Sequence, residues 1–222
     1  MLHFSAGSSE SELQAAVIEC GRICYERHLM TSNDGNISAR LGDDQLLITA
    51  SGISKGRMAV DDLLAIDLDG KVLQAKPNRR PSSELPMHLE VYRERPEVRA
   101  VIHAHPVFAT ALTVAGLAFP NDVLPEVLLV LGEVPVTEYA TPSSQEDAAA
   151  IQQLIHGHSA ILLRQHGTLT VGADLDEALL HLERVEHVAE VFWRARMLGK
   201  VEHLTPEARE RLTAMRAQQA RS

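Results

Sequence analysis

Between residues 10 and 29 the apolar side chains fall at Leu13, Ala16, Val17, Cys20, Ile23 and Cys24. That three-to-four spacing predicts one amphipathic helix. Ser9 or Ser11 caps its start, and the turn formers Thr31-Ser32-Asn33-Asp34-Gly35-Asn36 end it. Ile37 to Leu41 and Gln45 to Thr49 read as two strands joined in a hairpin by Gly42-Asp43-Asp44. Ser51-Gly52 breaks the second strand. Asp61 to Leu64 reads as a short helical turn. Strands at Leu64 to Leu68 and Lys71 to Ala75 flank Asp69-Gly70.

Pro81-Ser82-Ser83-Glu84 opens a helix running to about Arg95, with Ser82 as cap and Pro86 tolerated in the first turn. Val98 to Ala104 is a strand that Pro106 stops, and Phe108 to Ala115 is a short helix. Val123 to Leu131 is apolar and fits helix or strand alike. Val134 to Thr137 reads as a strand. Ser143 to His156 reads as a helix capped by Ser143 or Ser144, with Glu146 and Asp147 complementing its dipole. Ala160 to Arg164 and Leu169 to Val171 are strands around Gln165-His166-Gly167. A long helix runs from about Asp174 to Leu198, ended by Gly199, and a polar helix from Thr205 to about Gln218. The irregular alternation predicts one α/β domain over residues 1–222, a mixed sheet with helices on both faces.

Composition narrows the partners. The 222 residues carry 21 Lys plus Arg against 30 Asp plus Glu, a net charge of −9. An acidic chain without a long basic run argues against nucleic acid and against an electrostatically held membrane protein. The start Met1-Leu2-His3-Phe4-Ser5 lacks the basic and apolar regions of a leader, and no apolar run reaches the ~20 residues that span a bilayer. A soluble, cytoplasmic protein is expected. The two cysteines, Cys20 and Cys24, read as small buried hydrophobes rather than a disulfide. No Gly-x-Gly-x-x-Gly or Walker sequence is present, so neither a dinucleotide fold nor a P-loop is indicated.

Among the 11 histidines, His103 and His105 end the strand Val98-Arg99-Ala100-Val101-Ile102. Side chains on a strand alternate faces, so the two point the same way and can chelate one ion. His156-Gly157-His158 has the same spacing, but it lies in a helix-to-strand turn where nothing fixes a common direction, and it reads as a solvated turn. His166, in the bend between two strands, supplies a third nitrogen. Three histidines with an open position suit a catalytic zinc site, although Mn2+, Fe2+ or Co2+ also accept such donors with a carboxylate. His28, His88, His181, His187 and His203 read as surface or packing residues.

Ser82 and Ser83 stand at a helix N-terminus, where free N–H groups favour an anion. Gly35-Asn36 and Ser51-Gly52 are turns that let backbone amides approach a ligand. Glu84 follows the serines. As a first-turn Glu it reads as a capping or dipole partner; between an anion site and a metal it reads as a fourth ligand or a base.

Gly35-Asn36-Ile37-Ser38, Thr49-Ala50-Ser51-Gly52, Pro81-Ser82-Ser83-Glu84, His103-Ala104-His105-Pro106 and Gln165-His166-Gly167 resemble, in order and spacing, the motifs of the class II aldolase/adducin family, whose enzyme type is L-fuculose-1-phosphate aldolase. The resemblance runs from about Glu12 to Leu198. It implies a three-layer α/β/α fold around a largely antiparallel sheet. It also implies one zinc per subunit on His103, His105 and His166, and Glu84 as resting ligand and then base. Asn36, Ser51, Gly52, Ser82 and Ser83, with Gly35 in the same turn, would hold the phosphate of a small sugar substrate. A homotetramer with sites at subunit interfaces is implied as well.

The expected reaction is zinc-dependent cleavage of a ketose 1-phosphate to dihydroxyacetone phosphate and an aldehyde through an enediolate. A tyrosine that the aldolase type carries after the His-x-His strand has no counterpart in Phe119-Pro120-Asn121-Asp122-Val123-Leu124-Pro125-Glu126. Glu126 instead lies near where the methylthioribulose-1-phosphate dehydratase branch places a catalytic Glu, a branch without the equivalent of Glu84. A second carboxylate keeps other reactions open: dehydration, decarboxylation of a sugar-acid phosphate, or epimerisation of a pentulose phosphate. A non-catalytic adducin-like module would be expected to lose the histidines, and here all three stand.

Overall fold

A computed structural model describes residues 9–219; the reading of the chain's first residues, Met1 to Ser8, lies outside them. Helix α1, Glu10–Glu26, starts at a capping box: Glu12 N–H donates to Ser9 Oγ, and Ser9 N–H to the Glu12 carboxylate. Seven strands follow in the order β1 Asn36–Arg40, β2 Gln45–Thr49, β3 Leu63–Asp67, β4 Val72–Gln74, β5 Ala100–Ala104, β6 Ala160–Leu163 and β7 Gly167–Gly172. They form one sheet, β4-β3-β2-β1-β5-β7-β6, in which every strand pairing is antiparallel. The strand expected at Val134 to Thr137 shrinks to one parallel bridge, Val136 to Leu162. Pro135 has no N–H to extend a ladder there.

Helices cover both faces. On one side α1 and α5, Leu175–Leu198, bury Leu13, Val17, Cys20 and Leu182 against Ile37, Ala39, Leu47 and Ile102. On the other, α2, Leu85–Glu94, and α4, Gln145–Gln152, pack Met87, Val91, Tyr92 and Ile151 on Leu46, Ile48, Leu64 and Val101. The neighbours Leu46, Leu47 and Ile48 thus enter opposite cores, which is why β2 reads as an unbroken apolar run rather than an alternation. A third cluster joins α3, Val107–Val114, to α5 through Leu112, Phe119, Val127, Val185 and Val188. The segment that fitted helix or strand contains a π-helical turn, Val127–Leu131, closed by the bond from Gly132 N–H to Val127 O. The chain ends in α6, Pro206–Gln219. Among the described residues no helix is long and apolar enough to cross a membrane.

The start of α2 corrects one expectation. The helix begins at Leu85, so Glu84 holds the N-cap position and its carboxylate makes no cap bond. Ser82 instead accepts from the Glu84 N–H at 3.3 Å in the turn before the helix. Freed from capping, the Glu84 side chain is available to the sheet.

Candidate metal and anion site

Antiparallel register sets the site. Asn36 at the start of β1 lies opposite His103 near the end of β5, and Ala104 lies opposite Thr168 of β7, two residues beyond His166. Three imidazoles therefore meet where the end of β5 adjoins the start of β7, with ring centroids 4.8, 4.7 and 4.9 Å apart. Gly167 permits the approach: a Cβ there would stand 2.3 Å from the Ala104 carbonyl oxygen and 2.7 Å from His105 Cδ2. Gly35, at φ +74°, does the same for the anion turn, since a Cβ would lie 2.8 Å from the His103 carbonyl oxygen.

The donor atoms converge. His105 Nε2 is 2.9 Å from His103 Nε2. Glu84 Oε2 is 3.2 Å from His103 Nε2, and Glu84 Oε1 is 3.1 Å from His166 Nε2. The His103 Nδ1–H donates to the Thr168 carbonyl at 3.0 Å, which turns its Nε2 toward Glu84 and the His105 ring. A histidine tied through its far nitrogen to a carbonyl is the arrangement of a metal ligand. The three histidines fit a divalent cation, with Glu84 as a fourth donor. Burial works against the Glu84 charge, but His103 and His166 outweigh it and hold the carboxyl well below its usual range. Burial, with His103 and His166, pushes His105 down to about 3, which keeps it a neutral ligand.

Beside this cluster opens a cavity of about 230 Å³, lined by Gly35, Asn36, Ser51, Gly52, Ser82, Ser83 and Glu84 among others. Six residues of the expected phosphate cradle thus share one space with Glu84. The Asn36 amide links the two halves: Nδ2 donates to Glu84 Oε2 at 2.7 Å and to Ser82 Oγ at 3.0 Å. Ser143, from the turn before α4, donates to Ser83 Oγ at 2.8 Å.

The structure leaves Glu126 elsewhere. It is exposed at the head of the π-helical turn and does not line this cavity. His156 pairs with Glu94 on the surface, and His158 donates to the Leu154 carbonyl, so that pair shares no centre.

Two residues of the site escaped the sequence reading. Lys55 is buried in the cavity wall, its Nζ donating to the carbonyls of Asn33 at 2.8 Å and Ile53 at 2.9 Å. Burial pushes it down to about 8, against the pull of Asp34 and Glu84. Asp147 of α4, expected only as a dipole complement, is buried beside Glu84 and His166 with Oδ2 unpartnered, and burial raises its carboxyl.

A fold of seven antiparallel strands between helices, with three histidines and a carboxylate beside a cavity lined by serines and glycines, defines a class that known proteins share. A family model described as "Class II Aldolase and Adducin N-terminal domain" matches residues 15–193, and the chain belongs to that family. It is 32% identical over 181 residues to the 3-oxo-tetronate 4-phosphate decarboxylase of Haemophilus influenzae, covering 80% of this chain and 85% of the relative. It is 35% identical over 194 residues to the methylthioribulose-1-phosphate dehydratase of Pseudomonas syringae pv. syringae, covering 82% and 94%. A solved L-fuculose 1-phosphate aldolase superposes with TM-score 0.84 at 29% identity, over 95% of this chain and 98% of that one. The chain is an enzyme of this superfamily of metal-dependent lyases.

Proposed function

We propose that the protein is a carbon–carbon lyase that releases dihydroxyacetone phosphate, with a zinc ion on His103, His105 and His166. The observation that supports it most is the Asn36 amide, bonded at once to Glu84 Oε2 and Ser82 Oγ. It sets an acid–base carboxylate between a cation site and a phosphate site. Lys55 is the one cation among the residues lining that cavity, and it balances part of a phosphate's charge.

Decarboxylation of a 3-oxo-tetronate 4-phosphate is the favoured reaction. The bond from carboxylate to C2 breaks, CO2 leaves, and the electron pair forms the enediolate across C2 and C3. Glu84, ionised at rest, takes up a proton from solvent and passes it to C2, leaving dihydroxyacetone phosphate and the carboxylate as it began. A divalent ion held by the three imidazoles supplies Lewis-acid neutralisation of the oxygen charge that develops. The serines, Asn36 and Lys55 hold the phosphate away from the reacting carbon and fix its position.

The absence of tyrosine from residues 119–126 favours CO2 as the leaving group, because CO2 departs without proton transfer. Aldol cleavage of a ketose 1-phosphate passes through the same enediolate and is the second reading, supported by the likeness to the aldolase. It requires a proton acceptor for the substrate hydroxyl. Dehydration finds no support from Glu126, which stands outside the cavity. A cytoplasmic homotetramer belongs to the same proposal.

The test is zinc-loaded protein incubated with 3-oxo-tetronate 4-phosphate, fuculose 1-phosphate and ribulose 1-phosphate, with dihydroxyacetone phosphate and CO2 measured. Dihydroxyacetone phosphate with equimolar CO2 from the first is expected. Release from a ketose 1-phosphate alone transfers the assignment to the aldolase reading, and none from any substrate rejects both.

A further inference from the structure

His88 lies one helical turn after Glu84, on α2, and is fully buried. Its ring nitrogens contact Asn36 Oδ1 through Nε2 and Ser38 Oγ through Nδ1, the latter at 2.6 Å. Ser38 Oγ in turn lies 2.9 Å from the Tyr92 hydroxyl. Tyr92 and Ser38 are buried as well. A file of polar groups therefore runs from Tyr92 through Ser38, His88 and Asn36 to Glu84.

The far end fixes every direction along it. A carboxylate only accepts, so Asn36 must turn Nδ2 to Glu84 and Oδ1 to His88. His88 must then donate from Nε2. A neutral ring has one donor, so Nδ1 accepts from Ser38, whose oxygen accepts from Tyr92. Burial, with His103 nearby, pushes His88 down to about 3, which keeps the ring neutral. Aligned donors polarise one another in a dry interior, and each link holds the next.

The geometry points to His88 as a positioning residue: its Nε2–H locks the Asn36 amide in the one orientation that donates to Glu84 and Ser82. Without that lock the amide can turn over and set its oxygen against the carboxylate. This inference rests on Glu84 as the acid–base group proposed above, and it concerns a residue, His88, that does not itself line the cavity.

Two readouts test it on the full chain. The first needs no substrate. Nitrogen-15 ring correlations of His88 in metal-free and zinc-loaded protein are expected to show the neutral Nε2–H form near neutral pH. The Nδ1–H form would require the opposite Asn36 orientation and would overturn the proposal. The second compares His88→Phe with His88→Gln. Phe removes the donor and is expected to cost roughly 10- to 100-fold in kcat, with zinc content little moved. Gln keeps a donor in reach of Asn36 and is expected to retain most of the rate. Equal losses in both, or full kcat in a folded His88→Phe, would contradict the lock. Should His88→Phe fail to fold, Ser38→Ala takes its place: Glu84 and Asn36 still demand a donor at Nε2, so the ring should keep the Nε2–H form while its Nδ1 signal shifts on losing its partner; a switch to the Nδ1–H form would contradict the lock. A wild-type enzyme inactive on every substrate would reject the proposed reaction and leave the ring tautomer to decide the relay.

Discussion

Asn36 Nδ2 donates to Glu84 Oε2 over 2.7 Å, so one hydrogen bond joins the wall of the proposed phosphate cavity to the carboxylate beside the histidine cluster. Register brings it about: Asn36 opens β1 directly opposite His103 of β5, and Glu84 reaches the same point from the turn before α2. A carboxylate held between cation donors and an anion pocket can exchange a proton with a carbon next to a ketone whose phosphate is anchored in that pocket.

Glu84→Gln keeps the size and one acceptor oxygen but cannot carry a proton to carbon. Turnover is expected to fall roughly 10²- to 10⁴-fold. Measurement of kcat alongside zinc content separates this loss from loss of metal; a rate within a few-fold of wild type would remove Glu84 from the chemistry.

Zinc should stabilise the fold, because it binds the native cluster and not the dispersed ligands of the unfolded chain. A hundredfold excess over Kd contributes about 2.7 kcal/mol, or roughly 5–10 °C in melting temperature for a chain of this size. Thermal scans with zinc and with chelator should show that shift in wild type and none in His103→Ala, which removes the donor at the centre of the cluster.

Lys55 is expected to set an alkaline limb in the pH profile. Its folded value of about 8 lies below the ordinary 10.5, so the free enzyme carries that charge below pH 8 and sheds it as pH rises. The free enzyme governs kcat/KM, which should fall above about pH 8 while kcat holds. Lys55→Met should lower kcat/KM at neutral pH by about 2 kcal/mol, roughly 30-fold, and abolish the limb. An unchanged profile in the variant would place the cation away from the phosphate.

Gly167→Ala tests the close approach of β7 to β5. The added methyl meets backbone at 2.3 Å, so strands must part or His105 must move. A cost of about 1–3 kcal/mol is expected in urea unfolding, with weaker zinc binding. Wild-type stability would show that the strand ends yield freely.

The histidine cluster was legible because strand geometry is simple: a two-residue period put His103 and His105 on one face, and proline ended the strand beside them. His166 was legible only as the third donor that pair required. The apolar stretch Val123 to Leu131 was not legible, since the unbroken apolar run from Val127 to Leu131 carries no period of its own, and only the fold buries Val127 and Leu131 while leaving Val130 exposed. Lys55 was hidden because lysines are rarely buried, and its burial depends on carbonyls of Asn33 and Ile53 that only the folded chain assembles. His88 left a fainter trace. Four residues after Glu84, it shares that residue's side of the helix, but its partners Asn36 and Ser38 come from a strand some fifty positions away.

The enediolate is the feature common to the decarboxylase and aldolase readings, and it can be tested without knowing the leaving group. Zinc-loaded protein incubated with dihydroxyacetone phosphate in deuterated water should exchange one hydrogen of the hydroxymethyl carbon, on one face only, as read by proton NMR. Glu84→Gln should not. Exchange no faster than in buffer, with zinc bound at one ion per chain, would contradict a carboxylate-driven enediolate at this site.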